Sequence, residues 1–284
     1  SWYTIVMVNL GNDEIVKYPF LAEAGKYLSD KGFSLEQFGT DPDLKKIVEN
    51  AFERIITASE GRIFKSDFSS NNSALPLEIF SFLIAVILLK LSGMNTLIRR
   101  FSLAEARRAE KFLEKDLMNY QDATKTKLSL QILEELFSMT VEKTDKGFTI
   151  LVRDYLKHSI NFYEREWKLI NRKVVNGKVH LTSHETVRLV RKELDRHIYT
   201  KINSSSSPDM IIGFETYVDK LKQLAKKFEV KTVESKEFPP CIKHAIEVLE
   251  KGENLPHSGR FMLATFLLNK GQTVEQIAPL FKNA

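Results

Sequence analysis

A single cysteine stands in this 284-residue chain. It is Cys241, and it follows Pro239 and Pro240 in EFPPCIKHAIEVLEKGENLPHSGRFMLATFLLNKG. The two prolines force an extended entry, so the thiol falls at or beside a helix N-terminus. Unpaired backbone N–H groups there favour a thiolate, which binds metals and iron–sulfur clusters. A cluster takes about four such ligands and the chain offers one. On spacing alone, an ordinary structural cysteine is therefore the simpler reading. The second stretch with chemistry in it is NLPHSGRF. Ser258 is placed to cap the following helix. His257 and Arg260 flank that helix's N-terminus, where amides and dipole attract a phosphate or triphosphate. A plain surface histidine, with an arginine whose stem covers an apolar edge, fits equally well.

Other candidates are weaker. His180 and His184 have an H-x-x-x-H spacing, which metal hydrolases place on one helix. Here the first falls on a strand and the second in a first helical turn, without the required glutamate. Arg100, Arg107 and Lys111 could share a helix face and grip phosphate. Glu110 and Glu114, three residues after Arg107 and Lys111, favour a salt-laced solvent face instead. There is no Gly-rich phosphate loop, no G-x-S-x-G and no clear carboxylate pair for two-metal nucleotidyl transfer. The expectation is a chain without a catalytic site of its own.

Bulk composition sets the frame. Hydrophobic content is 43%, charged content 28%, net charge +5 and pI about 9.0. That describes ordinary globular stock with room for one or two domains. One cysteine excludes an internal disulfide framework. The run WYTIVMVNL lacks a preceding basic residue and reads as a strand or packed leader, not a signal peptide. LEIFSFLIAVILLKL is shorter than the roughly 20 residues that span a bilayer, so it reads as a buried core helix over 77–91 and no membrane is implied. Residues 143–203 hold 14 Lys/Arg against 7 Asp/Glu, a balance of +7. A solvated face explains such a run by itself; phosphate contact is the functional alternative.

The elements that must position these residues are mostly helical. DPDLKKIVENAFERIITA carries an Asp cap and the stripe Leu44, Ile47, Val48, Ala51, Ile55. TLIRRFSLAEARRAEKFLEKDL gives one or two helices with the stripe Ala109, Phe112, Leu113, Leu117, and KLSLQILEELFSM gives another. KGFTILV has β character. In LINRKVVNGKVHLT, two Val-rich runs flank Asn176-Gly177, the pair a type I′ hairpin turn prefers. Thr182-x-x-Glu185 then opens a helix with the stripe Val187, Val190, Leu194, Ile198, Ile202. NSSSSPD is a linker by composition. Three short helices follow Pro239. The first has the stripe Ile242, Ala245, Ile246, Leu249 and a stop at Gly252. The second is apolar nearly all round and must be buried on several sides. The third opens at Thr273-x-x-Gln276 with the stripe Val274, Ile277, Ala278, Phe281. These 46 residues are near the lower size limit for an unaided core. They either dock on the preceding domain or begin a longer module, and the second is expected.

FPPCIKHAIEVLEKGENLPHSGRFMLATFLLNKGQTVEQIAPLF resembles the opening of the iron–sulfur domain of the archaeal and eukaryotic DNA primase large subunit. YPFLAEAGKYL, LIRRFSLAEARR and WKLINRKVVNGKVHL are similar to segments of the archaeal large subunit's N-terminal region. The resemblance covers most of residues 17–284. It implies a mainly α fold: a helical N-terminal domain with a small α/β element over 1–203, a linker and connecting helix over 204–238, and a partial all-α iron–sulfur module over 239–284. It implies a non-catalytic accessory subunit in the cell's replication machinery. That subunit binds the catalytic small primase subunit and helps hold single-stranded template and the initiating nucleotide or primer 5′ triphosphate. By position, Cys241 would be one ligand of a [4Fe–4S] cluster whose other cysteines lie beyond Ala284. His257, Arg260 and Lys243 would contact phosphate or template. Asn254 and Pro256 depart from the family, which often places basic or histidine residues there. A free-standing basic helical module binding nucleic acid without a primase partner remains the alternative.

Overall fold

The chain is described by a computed structural model covering residues 16–21, 30–65, 75–118, 123–160, 162–204, 208–228, 238–250 and 254–281. The expectations on WYTIVMVNL and Gly252 lie outside these residues. It is mainly α-helical with a small embedded antiparallel sheet, as expected. It divides into two compact units, residues 1–17 with 106–197 and residues 18–105 with 198–284. We call them the sheet unit and the helical unit.

The helical unit begins with α1 (Leu35–Thr40), whose Ser34 cap accepts and returns hydrogen bonds with Gln37 in a capping box. Asp41 was expected to cap the next helix. It closes α1 instead, donating its N–H to the Gln37 carbonyl at 2.8 Å, while its Oδ1 accepts the Asp43 N–H at 2.9 Å. That Asx turn consumes Pro42 and Asp43, so α2 (Lys45–Ser59) starts after Leu44. Leu44 of the expected stripe falls before the helix and is half-buried, while Ile47, Val48, Ala51 and Ile55 are buried. They face α3 (Leu75–Ser92). α3 is the expected core helix: residues 79–85 and 87–89 are buried. Among the described residues no helix is long and apolar enough to cross a membrane. α4 (Asn95–Leu117) is one continuous helix whose first residues belong to this unit. The other face of α3 is covered by α9 (Glu215–Lys226). The chain reaches α9 by crossing α1 backbone to backbone, Gly213 against Gly39. A β-carbon on either glycine would overlap the other segment's carbonyl oxygen.

The sheet unit holds the end of α4 and α5 (Ala123–Phe137). Its sheet comprises β1 (Val141–Thr144), β2 (Gly147–Leu151), β3 (Val174–Val175) and β4 (Lys178–Leu181), in the order β1-β2-β4-β3. The register sets Val141 opposite Ile150, Ile150 opposite Val179 and Phe148 opposite Leu181. These five side chains form the buried face. The β3–β4 turn has φ of 50° at Asn176 and 73° at Gly177, the left-handed pair that a type I′ turn demands. α6 (Val152–Ser159) and α7 (Ser183–Leu189) pack on β2 and β4. Thr182 and Glu185 form the expected capping box on α7. The helix after it was expected to run unbroken. Val190 instead turns out of helical geometry, separating α7 from α8 (Arg191–Ser204). The apolar stripe survives the break: Val187, Val190, Leu194, Ile198 and Ile202 are all buried.

Candidate functional site

α10 (Pro240–Glu250), α11 (His257–Asn269) and α12 (Val274–Phe281) form a small bundle with its own apolar centre. Phe238, Ile242, Ala245, Leu249, Leu263 and Leu267 are among its buried members. Phe238 and Phe266 meet edge to face at 5.3 Å between centroids. Cys241 is the second residue of α10 and is exposed. It is therefore not part of the bundle's buried centre. The Pro239 carbonyl accepts the N–H groups of Ile242 and Lys243 at 3.0 and 3.1 Å, starting the helix. Lys243 and His244 are exposed beside the thiol.

Ser258 does not cap α11. Pro256 occupies that position, and helical geometry begins at His257. The reason is local: the Pro256 carbonyl already accepts the Arg260 N–H at 3.0 Å, which moves the first turn up by two residues. The N–H groups of His257, Ser258 and Gly259 precede the first helical hydrogen bond and point out of the N-terminus. His257 and Ser258 are exposed there. Arg260 is turned the other way. Its Nε donates to the Leu255 carbonyl at 3.1 Å and its Nη2 to the Asn254 side chain. It braces the loop into α11. The two positions that depart from the resembled family thus have structural duties, Asn254 as partner of Arg260 and Pro256 as the helix start.

α11 was expected to be buried on several sides. Only Leu263 and Leu267 are buried, while Phe261 is 69% exposed and Met262 and Leu268 are also exposed. α10 and α12 cover one stripe of it. α12 presents a different stripe from the expected one. Ile277 is buried with Leu280 and Phe281 packed against the cluster, but Val274 and Ala278 are exposed. Gln276 does accept the Thr273 N–H, at 3.0 Å.

The donor set tests the cluster. One exposed thiol at a helix N-terminus fits a single ligand position, and the chain's own residues do not complete a four-thiolate site. Among the described residues no three His, Cys, Asp or Glu side chains gather as a metal site. His180 lies on β4 opposite Thr149, and His184 Nδ1 sits 3.2 Å from Glu114 Oε2 on α4.

The arginines of α4 are not a phosphate grip. Arg100 is largely buried, donates to the Ser59 carbonyl at 3.0 Å and lies 4.1 Å from the centroid of Phe228. Burial pulls its pKa down to about 10. Burial and the neighbouring Arg191 lower Arg107 as well. Glu110 and Glu114 were expected to lace a solvent face; Glu110 is buried instead, in a two-point pair with Arg191 at 2.6 and 2.7 Å. The +7 segment does reach the surface: Lys143, Lys146, Arg153, Lys157, Arg165 and Lys168 are exposed.

Sequence reasoning missed two constellations. One is the buried Arg54 with Glu105 and Glu78 in the helical unit. The other is the cluster around Trp167 in the sheet unit, where Arg172 and Arg188 sit over aromatic rings. Its signal was the density of aromatic and basic residues in NFYEREWKLINRK.

Comparison with known proteins covers most of the chain. Residues 93–210 match the family model described as "Eukaryotic and archaeal DNA primase, large subunit N-terminal domain". Residues 231–284 match its C-terminal-domain counterpart. The curated DNA primase large subunit PriL of Methanosarcina acetivorans is 32% identical over 277 residues, 95% of this chain and 72% of that protein. PriL of Methanocella arvoryzae is 29% identical, with 94% of this chain and 72% of that protein covered. PriL of Methanosarcina barkeri is 31% identical, and the chain spans 65% of its length.

Proposed function

Because this chain belongs to the large-subunit family of eukaryotic and archaeal DNA primases, we propose that it serves a catalytic small subunit and makes no primers itself. The observation that carries this reading is the relatedness along nearly the whole chain to archaeal large subunits. In this role the sheet and helical units bind the small subunit. The α10–α12 bundle faces template and the 5′ triphosphate of the initiating nucleotide or primer.

The chemistry of the bundle supports that assignment. The open N-terminus of α11 offers backbone donors beside His257, and Lys243 adds a point charge. Arg260 holds the loop that presents them. Cys241 is the one residue here with the chemistry of an iron–sulfur ligand; such a cluster supplies redox chemistry or a rigid cap when bound. Three further thiolates would have to come from outside these 284 residues. The work is intracellular, at sites of replication.

Primer synthesis tests the proposal. The chain, the small subunit and their mixture are each given template and ribonucleotides. Synthesis is expected from the mixture and none from this chain alone. Primers made by the isolated chain would overturn the accessory role. Salt-dependent DNA binding with no small-subunit association would favour a free-standing module instead.

A further inference from the structure

In the helical unit, the segment leading into α9 exposes two large apolar side chains where it crosses α1. Along it the side chains alternate out, in and out. Ile211 is buried beside Gly39, while Met210 and Ile212 are 49% and 75% exposed. The close approach of Gly213 to Gly39 fixes the backbone beneath them, so neither side chain can retract inward. On α1, Leu35 stands one turn before Gly39 and is half-buried, which extends the apolar surface along the helix.

The charge around this patch has one sign. Residues 35–43 and 209–215 hold Glu36, Asp41, Asp43, Asp209 and Glu215 and no lysine or arginine. That concentration of negative charge stands in a chain of net charge +5. All five residues are exposed. Two of the carboxylates are held by backbone: Asp41 Oδ1 accepts the Asp43 N–H at 2.9 Å, and Glu215 Oε2 accepts the Gly213 N–H at 2.8 Å. Each follows a crossing glycine by two residues, so both are tied to the same rigid junction. The cations nearest in sequence, Lys31, Lys45, Lys46 and Lys220, lie outside the two stretches.

We propose that the crossing of α1 by residues 209–215 is a docking platform for a basic amphipathic helix of a further protein, with Met210 and Ile212 as anchors and Asp41, Asp43, Asp209 and Glu215 as rim. The inference goes beyond the large-subunit reading and does not depend on it. The chemistry defines the partner. A helix lays down one narrow apolar stripe and carries its charged residues on either side of it. Lysines or arginines flanking that stripe meet the carboxylates as the stripe meets the two anchors. Nucleic acid and anionic membrane are repelled by the same rim. An apolar centre with a charged rim is the make-up of a protein interface. The glycine crossing keeps the platform in its bound form, so little freedom is lost on binding.

The probe is a synthetic amphipathic helix of leucine and lysine, with a leucine–glutamate helix of the same length as control. Each is titrated against the full chain, alone and with its cognate small subunit, by fluorescence anisotropy and stopped flow. The lysine helix should bind, less tightly as salt rises, and the glutamate helix should bind at least about tenfold more weakly. Met210→Ser with Ile212→Ser should weaken the lysine helix by about tenfold or more, through faster dissociation. Asp41→Asn with Glu215→Gln keeps both backbone acceptors. It should slow association by about threefold or more and flatten the salt dependence. Both double variants should keep the wild-type melting temperature, and the small subunit should leave peptide binding intact. Equal binding of the two helices overturns the charge complement and the proposal with it. Wild-type affinity in the serine pair overturns the platform. Displacement of the peptide by the small subunit gives the patch to that subunit and overturns the further partner. Self-association of the chain that the serine pair abolishes gives the patch to a second copy and overturns it too.

Discussion

Arg54 and Glu105 form a two-point ion pair in the interior of the helical unit, Nε to Oε1 at 2.6 Å and Nη2 to Oε2 at 2.8 Å. The third corner is Glu78, 2.7 Å from Nη1. Burial opposes the charge on Arg54, yet the Glu105 and Glu78 carboxylates outweigh it and hold the guanidinium protonated above the usual arginine range. The triad ties α2, α3 and α4 together. Removing the cation leaves two carboxylates facing each other, one of them fully desolvated.

Arg54→Met should therefore cost roughly 3–5 kcal/mol in urea unfolding. Arg54→Met with Glu105→Leu should recover much of that, since Glu78 can turn toward water. A cost below about 1 kcal/mol for the single change would mean that apolar packing alone holds these helices.

The crossing of Gly39 and Gly213 makes a sharper steric prediction. Gly39→Ala or Gly213→Ala should cost at least about 2 kcal/mol, because the new methyl meets backbone that cannot rotate away. Gly213 also has φ of 93°, which adds strain. Gly259 is the contrast: a β-carbon there would lie 3.5 Å from Pro256 Cδ, an ordinary contact. Gly259→Ala should be neutral or stabilising by up to about 1 kcal/mol. Thermal melts of the three variants check the ranking. Equal effects at all three would refute the crossing.

Acid should loosen the sheet unit through Glu185. Burial works to raise its pKa, but the Arg172 guanidinium and the Thr182 cap outweigh burial and hold it below the ordinary 4.5. A carboxyl whose folded value is depressed takes up protons more readily when unfolded. Its stabilisation is complete above 4.5 and drains away as pH falls below that through the folded value. Glu185→Gln keeps the capping box while removing the charge. The variant should start less stable near neutral pH and show a flatter decline on acidification. A parallel decline in both proteins would assign the acid sensitivity elsewhere.

At the α10–α12 bundle, Lys243 and Arg260 should behave differently. Lys243→Ala should weaken binding to single-stranded DNA and lower the slope of log K against log salt by about 0.7. Arg260→Ala should weaken binding with little change of slope, and lower the bundle's stability, because its guanidinium braces Asn254 and Leu255. A loss of slope at Arg260 equal to that at Lys243 would show direct phosphate contact by both.

Local signals in the sequence were legible where local physics decides. Asn176-Gly177 permits one turn type, Thr182 and Glu185 cap one another, and Ile47, Val48, Ala51 and Ile55 of the α2 stripe are buried as spaced. The placement of Cys241 followed from two prolines. Where partners distant in sequence decide, the reading failed. The strand Val141–Thr144 shows two charged residues among four and is recognised only by pairing with β2. Glu110 looked solvent-facing until Arg191, 81 residues on, claimed it. Arg54 sits in an amphipathic helix with nothing to announce that two carboxylates would follow it inside. The grip on Trp167 joins residues from three elements: NFYEREWKLINRK shows the aromatic and basic density, but not that Arg188 would close on the ring.

Sedimentation of an equimolar mixture with the small subunit tests the central claim most directly. The account predicts one faster species of 1:1 composition at micromolar concentration. Two independent boundaries at the sedimentation rates of the separate chains would contradict it.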